Sequence, residues 1–177
     1  MQNIIYNIKS VLIVIIFFSF CFNTNAEPEE QAITAFVHPG LTHSAYDLDF
    51  IKAKVNAQEE PWKSAFKAMK NSNYGKLTWR PQPRANVACG FYNNPNFGCH
   101  EQTDDALAAY THALLWYITD DQRYADKAIE ILNAWTNIHK ANTDKNAPLQ
   151  VGWSAPGFID AAEIIRYSDA GWSEAEI

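Results

Sequence analysis

The densest group of side chains that could carry chemistry is His100, Glu101, Asp104 and Asp105. Imidazole and carboxylate groups this close in sequence can act as general acids and bases, or bind a metal ion. A simpler role competes with both, because the two aspartates directly follow Thr103 and acids in a first helical turn stabilise the helix. The sequence therefore predicts that Asp104 and Asp105 cap a helix, and it assigns no catalytic residue and no metal ligand.

The other histidines and the short motifs of known chemistry provide no stronger candidate. His112 lies among apolar residues at helical spacing, which is typical of a core histidine whose ring nitrogens have partners. His139 lies near a predicted helix C-terminus, where a cation is favourable in any protein. No Ser-His-Asp pattern, phosphate-binding loop or HExxH motif occurs. Accordingly, we predict no cofactor.

A basic and aromatic stretch is the best indication of a binding surface. Residues 61–100 contain six bases and no Asp or Glu, whereas residues 101–177 contain 13 acids and 5 bases. The six bases are Lys63, Lys67, Lys70, Lys76, Arg80 and Arg84. Cations pair with carboxylates and aromatic rings stack on sugar faces, so the stretch favours an anionic sugar polymer as partner. The alternative is a solvated basic face above core aromatics, and the net charge of -6 argues against nucleic acid.

The first 26 residues have the pattern of a secretory signal peptide. Lys9 precedes an apolar run from Val11 to Phe22, and Thr24 and Ala26 offer small residues for cleavage. We predict a signal peptide over residues 1–26, a polar leader over residues 27–40, and a secreted or periplasmic mature protein. An uncleaved N-terminal anchor is the alternative. Nothing further along is apolar enough to cross a bilayer, so we predict no membrane association after signal removal.

Two cysteines remain once the signal peptide is removed, because Cys21 lies inside it. An even pair in an exported protein favours a disulfide between Cys89 and Cys99, worth about 2 to 3 kcal/mol for so short a loop. Zinc is the alternative, because His100 follows Cys99 directly. The paired ligand spacings of a structural zinc site are missing, however.

Helices must position all of these side chains, so the predicted fold class is all-α. The apolar periodicity and capping residues predict helices at about residues 45–58, just after Pro61, and at 103–118, 124–138 and 156–167. Loops are predicted at residues 71–100 and 140–155. Only Asp120 and a few neighbours separate the third and fourth helices, which must therefore be antiparallel neighbours.

The last residues carry a helix-start signal. Ser173 is followed three positions later by Glu176, which is a capping box. A helix is therefore expected beyond Ile177, and the helical domain at residues 41–177 is expected to be a truncated N-terminal portion. A frayed natural terminus is the alternative.

Three blocks of sequence resemble the N-terminal part of the alginate lyase superfamily domain, over essentially residues 38–177. They are CGFYNNPNFGC at residues 89–99, the helix pair DALAAYTHALLWYIT and YADKAIEILNAW at 105–119 and 124–135, and NAPLQVGW with AAEIIRY at 146–153 and 161–167. The resemblance implies antiparallel helical hairpins that form part of an (α/α) toroid, with a groove for an acidic polysaccharide across one end.

The same resemblance implies an exported polysaccharide lyase that cleaves a uronic-acid polymer such as alginate by β-elimination. That reaction needs a group that neutralises the sugar carboxylate, a base for the C5 proton and an acid for the departing O4. In the family these groups lie on later helices, and no residue of this chain matches them. Residues that could bind the sugar are Arg84, Tyr92, Asn93, Asn94, Asn96, Gln150 and Trp153. Plain alternatives are asparagines in Asx-turns and Trp153 as a core residue.

Two other functions compete with a lyase. A glycoside hydrolase on the same toroid would need two opposed carboxylates, and Glu101 with Asp105 is the pair to examine. A non-catalytic helical-repeat binding module is the other, because the segment from Ala109 to Trp135 has the small and aromatic pattern of a tetratricopeptide unit. No second clear copy follows at that period.

Overall fold

The structure, a computed structural model, describes residues 36–90 and 96–177. The predicted signal peptide, most of the leader, and Tyr92, Asn93 and Asn94 lie outside the described residues. The described ranges contain five α-helices and two short strands. These are α1 (Ala45–Asn56), α2 (Trp62–Asn71), β1 (Asn86–Ala88), α3 (Cys99–Thr119), α4 (Gln122–Ile138), β2 (Ala141–Thr143) and α5 (Ala147–Arg166). None of these helices is both long and apolar enough to cross a membrane.

The hairpin of α3 and α4 lies at the centre of the fold. Asp120, with a positive φ of 55°, ends α3, and the Asp121 carboxylate accepts a hydrogen bond from the Arg123 amide to begin α4. The core residues of the hairpin include Ala108, Ala109, Ala113, Ala125, Ala128 and Ile131, all 0% exposed. Small side chains let the two helix axes approach closely, so the predicted antiparallel pair and the all-α class are confirmed.

The last helix, α5, packs directly on α3. A Cβ at Gly157 would lie 2.9 Å from the Ala106 carbonyl oxygen, so the two backbones meet at a place that only glycine allows. Further along α5, Ala161, Ile164 and Ile165 are buried in the core. This contact holds α5 in place along much of its length.

The predicted loop at residues 140–155 is wrong in its second half, because α5 begins at Ala147 and continues through Pro156. Pro148 lies in the first helical turn, where its missing N–H costs nothing. Gln150 and Ser154 are both buried, at 3% and 1% exposure. Packing on both sides of Pro156 thus outweighs the local penalty of an interior proline.

The segment before α1 is attached to α5. Ser44 and Asp47 form the N-terminal capping box of α1, as the sequence pattern of this helix start favours. Just before it, the amide and hydroxyl of Thr42 donate to the two carboxylate oxygens of Asp160, at 3.1 and 2.6 Å. The first described residues therefore lie along the C-terminal half of α5.

The region between α2 and α3 differs from its prediction in two ways. The strands β1 and β2 pair in parallel, with Asn86 opposite Ala141, although no strand was predicted. Moreover, α3 begins at Cys99, after Gly98 with a positive φ of 76°, and the Thr103 hydroxyl donates back to the Cys99 carbonyl oxygen at 3.0 Å. Because the helix starts a full turn earlier than predicted, Asp104 and Asp105 do not cap it.

Candidate sugar-binding site

The disulfide closes the base of the loop at residues 89–99. Cys89 follows β1 directly, Cys99 is the first residue of α3, and their sulfurs are bonded with a Cα–Cα distance of 5.7 Å. Ala88 and Phe97 exchange backbone hydrogen bonds of 2.9 Å beside it. The predicted pairing is confirmed, and neither sulfur is available as the thiolate that the zinc alternative needs.

A cleft of about 640 Å³ opens beside this disulfide, between the first turns of α3 and the start of α5. Its lining residues are Cys89, Gly90, Asn96, Cys99, His100, Thr103, Asp104, Asn146, Gln150 and Trp153. Three predicted sugar-binding residues, Asn96, Gln150 and Trp153, are therefore brought together. The backbone is tight at this place, because a Cβ on Gly90 would lie 2.4 Å from Asn146 Nδ2.

The indole of Trp153 is the open aromatic surface of the cleft. The residue is 63% exposed, so the alternative of a core tryptophan is wrong. A large aromatic side chain left in water beside a cleft is typical of a binding surface, since its burial by a ligand is favourable. Trp153 can thus stack on a sugar ring.

The carboxamide of Gln150 is held in one orientation. Its Nε2 lies 3.2 Å from the Cys99 carbonyl oxygen, 3.1 Å from Gln102 Oε1 and 3.3 Å from Thr103 Oγ1. A carbonyl oxygen can only accept, so the amide nitrogen must face it. Gln150 Oε1 has no hydrogen-bond partner among the described residues. It is not one of the fully buried polar atoms that lack a partner, so solvent or a ligand can reach it. It is left free to accept a hydrogen bond from a ligand hydroxyl.

A chain of hydrogen bonds continues behind Gln150. Gln102 and Asn142 exchange two bonds, of 3.1 and 2.9 Å, and His139 bridges from Asn142 Oδ1 at 2.9 Å to the Arg84 carbonyl oxygen at 3.1 Å. Because Gln150 must donate to Gln102 Oε1, the orientations of Gln102 and then Asn142 follow. The network joins β2 to the wall of the cleft.

Arg84, another predicted sugar-binding residue, lies outside the cleft lining. Its guanidinium donates to Glu101 Oε1 at 3.2 and 2.8 Å and lies 5.4 Å from the ring centre of Phe97. The pKa of Glu101 is lowered below its usual range, first by a hydrogen bond from the backbone amide of Glu101 and then by the hydrogen bonds from Arg84. The charge of Arg84 is already paired with that of Glu101. A sugar-binding role for Arg84 therefore stays a prediction.

The two aspartates of α3 have different surroundings. Tyr74 donates to Asp104 Oδ1 at 2.9 Å, and Asp104 still lines the cleft. Asp105 is 1% exposed and accepts from Trp79 Nε1, Trp135 Nε1 and the Gln82 amide, at 2.7 to 2.8 Å. Burial raises the pKa of Asp105, although these hydrogen bonds oppose the shift.

The hydrolase alternative depends on the pair Glu101 and Asp105. A buried Asp105 with three donors is out of reach of a substrate in the cleft, and Glu101 is occupied by Arg84. This geometry does not offer two opposed, accessible carboxylates. Across the described ranges, no three His, Cys, Asp or Glu side chains are grouped as metal ligands.

Four cleft residues, His100, Thr103, Asp104 and Asn146, were not predicted to bind sugar. The first three were assigned to a loop and a helix cap because the start of α3 was placed too late. Asn146 precedes Gln150 by four residues and Trp153 by seven, a spacing that repeats on one helix face. That spacing would have identified the group if residues 146–153 had been interpreted as helical.

Comparison with known protein families identifies the family of this chain. The family model described as alginate lyase matches residues 51–175. That match covers more than half of the chain, so the protein belongs to the alginate lyase family. No curated protein and no solved structure matches the chain.

Proposed function

We propose that this protein is an exported polysaccharide lyase, or the sugar-binding part of one, that acts on a uronic-acid polymer such as alginate by β-elimination. Family membership supports the reaction class. The single structural observation that carries the proposal is the cleft, where Gln150 presents a fixed acceptor beside the exposed ring of Trp153. A ring to stack on and an oriented acceptor for a hydroxyl are what a sugar requires.

The reacting groups are not assigned to the described residues. Within the cleft, His100 and Asp104 are the titratable side chains, and Tyr74 already occupies one oxygen of Asp104. Among the described residues, no Lys or Arg lines the cleft to neutralise a uronate carboxylate. The described part of the chain is therefore proposed to bind and orient the polymer.

The finer architecture is also proposed, as part of an (α/α) toroid. The α3 and α4 hairpin with α5 beside it has the short connections and small-residue contacts of such a ring. An apolar groove of about 330 Å³ between α4 and α5 includes Leu132, Phe158 and Ile159. In a ring of hairpins, faces of this kind pack against neighbouring helices.

Export is proposed from two observations. The N-terminal residues have the pattern of a signal peptide, and Cys89 and Cys99 form a disulfide, a bond that persists in oxidising compartments. Fractionation of the native host, followed by N-terminal sequencing, would test it. Processed protein found only in the cytoplasm would contradict the proposal.

The reaction and the site can be tested together. β-Elimination leaves an unsaturated, ultraviolet-absorbing sugar end, whereas hydrolysis leaves reducing ends without that absorbance.

Binding of alginate oligosaccharides should weaken about tenfold, or about 1.4 kcal/mol, when Trp153→Ala removes the stacking surface. The matched control is Tyr46→Ala, which removes a 77% exposed ring on α1 that does not line the cleft. Equal loss in both variants, or none in either, would count against the proposed site.

A further inference from the structure

A second, smaller pocket of about 320 Å³ lies on the segment that joins α2 to β1. Its lining residues are Asn73, Lys76, Thr78, Trp79, Arg80 and Gln82. Two of them are cations, three are neutral side chains that can hydrogen-bond, and none is a carboxylate. The composition differs from that of the cleft beside the disulfide, whose described lining residues include no Lys or Arg.

Neither cation of this pocket forms an ion pair within the described ranges. Arg80 makes no ion pair there, and the only described acceptor for Lys76 Nζ is Asn73 Oδ1, at 2.7 Å. Arg84, four residues after Arg80, is in contrast paired with Glu101. An Arg beside a Lys with no carboxylate between them attracts an anion, and a guanidinium can bind a carboxylate through two parallel hydrogen bonds.

The backbone that carries Arg80 is anchored on both sides. Before it, the Trp79 indole donates to Asp105 at 2.8 Å, and after it the Gln82 amide donates to the same carboxylate at 2.7 Å. In addition, Lys127 Nζ donates to the Trp79 carbonyl oxygen at 3.1 Å. These contacts restrain the segment before any ligand arrives, so less conformational entropy is lost on binding.

Hydrogen bonds connect the segment that carries the pocket to the start of α3, because Asp105 accepts from the pocket residues Trp79 and Gln82. Asp104 lines the cleft and accepts the hydroxyl of Tyr74, which is next in sequence to the pocket residue Asn73. The cationic pocket therefore belongs to the segment that contacts the same first turns of α3 that line the cleft. A short sugar held in the cleft alone would not reach both.

We propose that the pocket around Lys76 and Arg80 is a second subsite, which binds the carboxylate of another sugar of the same uronan chain. This inference rests on the proposed function. Arg80 and Lys76 pair with the carboxylate of this sugar. The hydroxyls of the same sugar find hydrogen-bond partners in Asn73, Thr78 and Gln82. The pocket thus supplies the positive charge that the cleft lacks, and it favours long, charged chains over short or neutral ones.

The test compares ligand lengths in a charge-neutralising variant. Arg80→Gln should weaken binding of a long alginate oligosaccharide by about tenfold and leave binding of an alginate disaccharide unchanged. Arg80→Lys should keep part of the affinity, because it keeps the charge and loses the bidentate geometry. Lys63→Gln is the matched control, since Lys63 is an exposed base on α2 outside the pocket, without an ion pair in the described ranges.

The outcomes separate the two proposals. If the unaltered protein binds no uronan of any length, the proposed function and this subsite both fail. If it binds uronan and Arg80→Gln binds the long oligosaccharide equally well, only the subsite is wrong. Equal weakening by Lys63→Gln would also overturn the subsite, because it would show a diffuse field in place of a pocket. Thermal unfolding of each variant identifies any loss caused by misfolding.

Discussion

The two halves of α3 bury polar side chains in opposite ways. In the first half, Gln102 and Asp105 are 5% and 1% exposed, and each is matched by several hydrogen-bond partners. In the second half, His112 is 0% exposed, and neither ring nitrogen makes a hydrogen bond of normal geometry to a described residue. The prediction of a core histidine with satisfied nitrogens is therefore half right.

The buried polar side chains have different roles in the two halves of α3. The first half of α3 carries the wall of the cleft, and its networks orient Gln150 and anchor the segment that holds Arg80. The His112 ring has no such network among the described residues and packs beside Tyr124, with ring centres 5.7 Å apart. Satisfied polar groups specify positions, whereas an unsatisfied one lowers stability.

The largest expected effect comes from removing the centre of the satisfied half. Asp105→Ala should lower the free energy of unfolding by about 3 to 5 kcal/mol, because three donors, one buried and two partly buried, lose their acceptor at once. Urea unfolding measures the change. Asp104→Ala is the control, because it removes one hydrogen bond at a partly exposed position and should cost about 1 kcal/mol. Similar losses in the two variants would contradict the contrast.

A pH titration of stability tests the unsatisfied half. Burial, and then the charge of Lys127, lower the pKa of His112 to about 4, partly opposed by the backbone of Lys76. In the unfolded chain the pKa is about 6.5, so between these values the unfolded state binds more protons. The free energy of unfolding should therefore fall as the pH drops from about 6.5 to about 4, by about 3 kcal/mol in total.

The control for this titration is His112→Leu, which introduces an apolar side chain of similar length that cannot bind a proton. Its unfolding free energy, followed by urea unfolding at the same pH values, should lose this part of the acid sensitivity. Parallel curves for the two proteins would show that another group is responsible.

The smallest expected effect concerns the network behind the cleft. Asn142→Ala should cost about 1 to 2 kcal/mol of stability, because Gln102 loses both of its bonds to that side chain. Affinity for alginate oligosaccharides should fall a few fold, as Gln150 becomes less restrained. In contrast, Asn133→Ala removes polar contacts of α4 with Glu176 and Trp172, far from Gln150 in sequence, and should change stability without changing affinity. Unchanged affinity in Asn142→Ala would show that the network has no role in binding.

Local sequence signals predicted much of the fold. The apolar repeat of α3 and α4 and the Asp120 turn each act within a few residues, and the structure has both. Prediction failed where distant contacts decide the outcome. Pro156 lies inside α5 because Gln150 and Ser154 on one side and Asp160 on the other are buried against the rest of the fold.

The candidate site was predicted in part for the same reason. The type of Gln150 and Trp153 suits sugar binding, and the resemblance pointed to both. Whether Trp153 is core or exposed depends on which face of α5 meets α3, and a residue's own type cannot decide that. Arg84 shows the reverse, because its charge suggested a sugar carboxylate and the fold placed Glu101 beside it.

The amino-acid sequence by itself determined the helical class, the central hairpin, the cysteine pair and the family, because periodicity, capping and motif spacing are encoded within short stretches of chain. Only the tertiary structure decided which side chains share a cleft and which cation has a carboxylate as its ion-pair partner. Arg80 and Arg84 are four residues apart and of one type, yet only Arg84 has a carboxylate within ion-pair distance in the described ranges. Pairing of charges depends on distances across the fold, and those distances arise only when the helices pack.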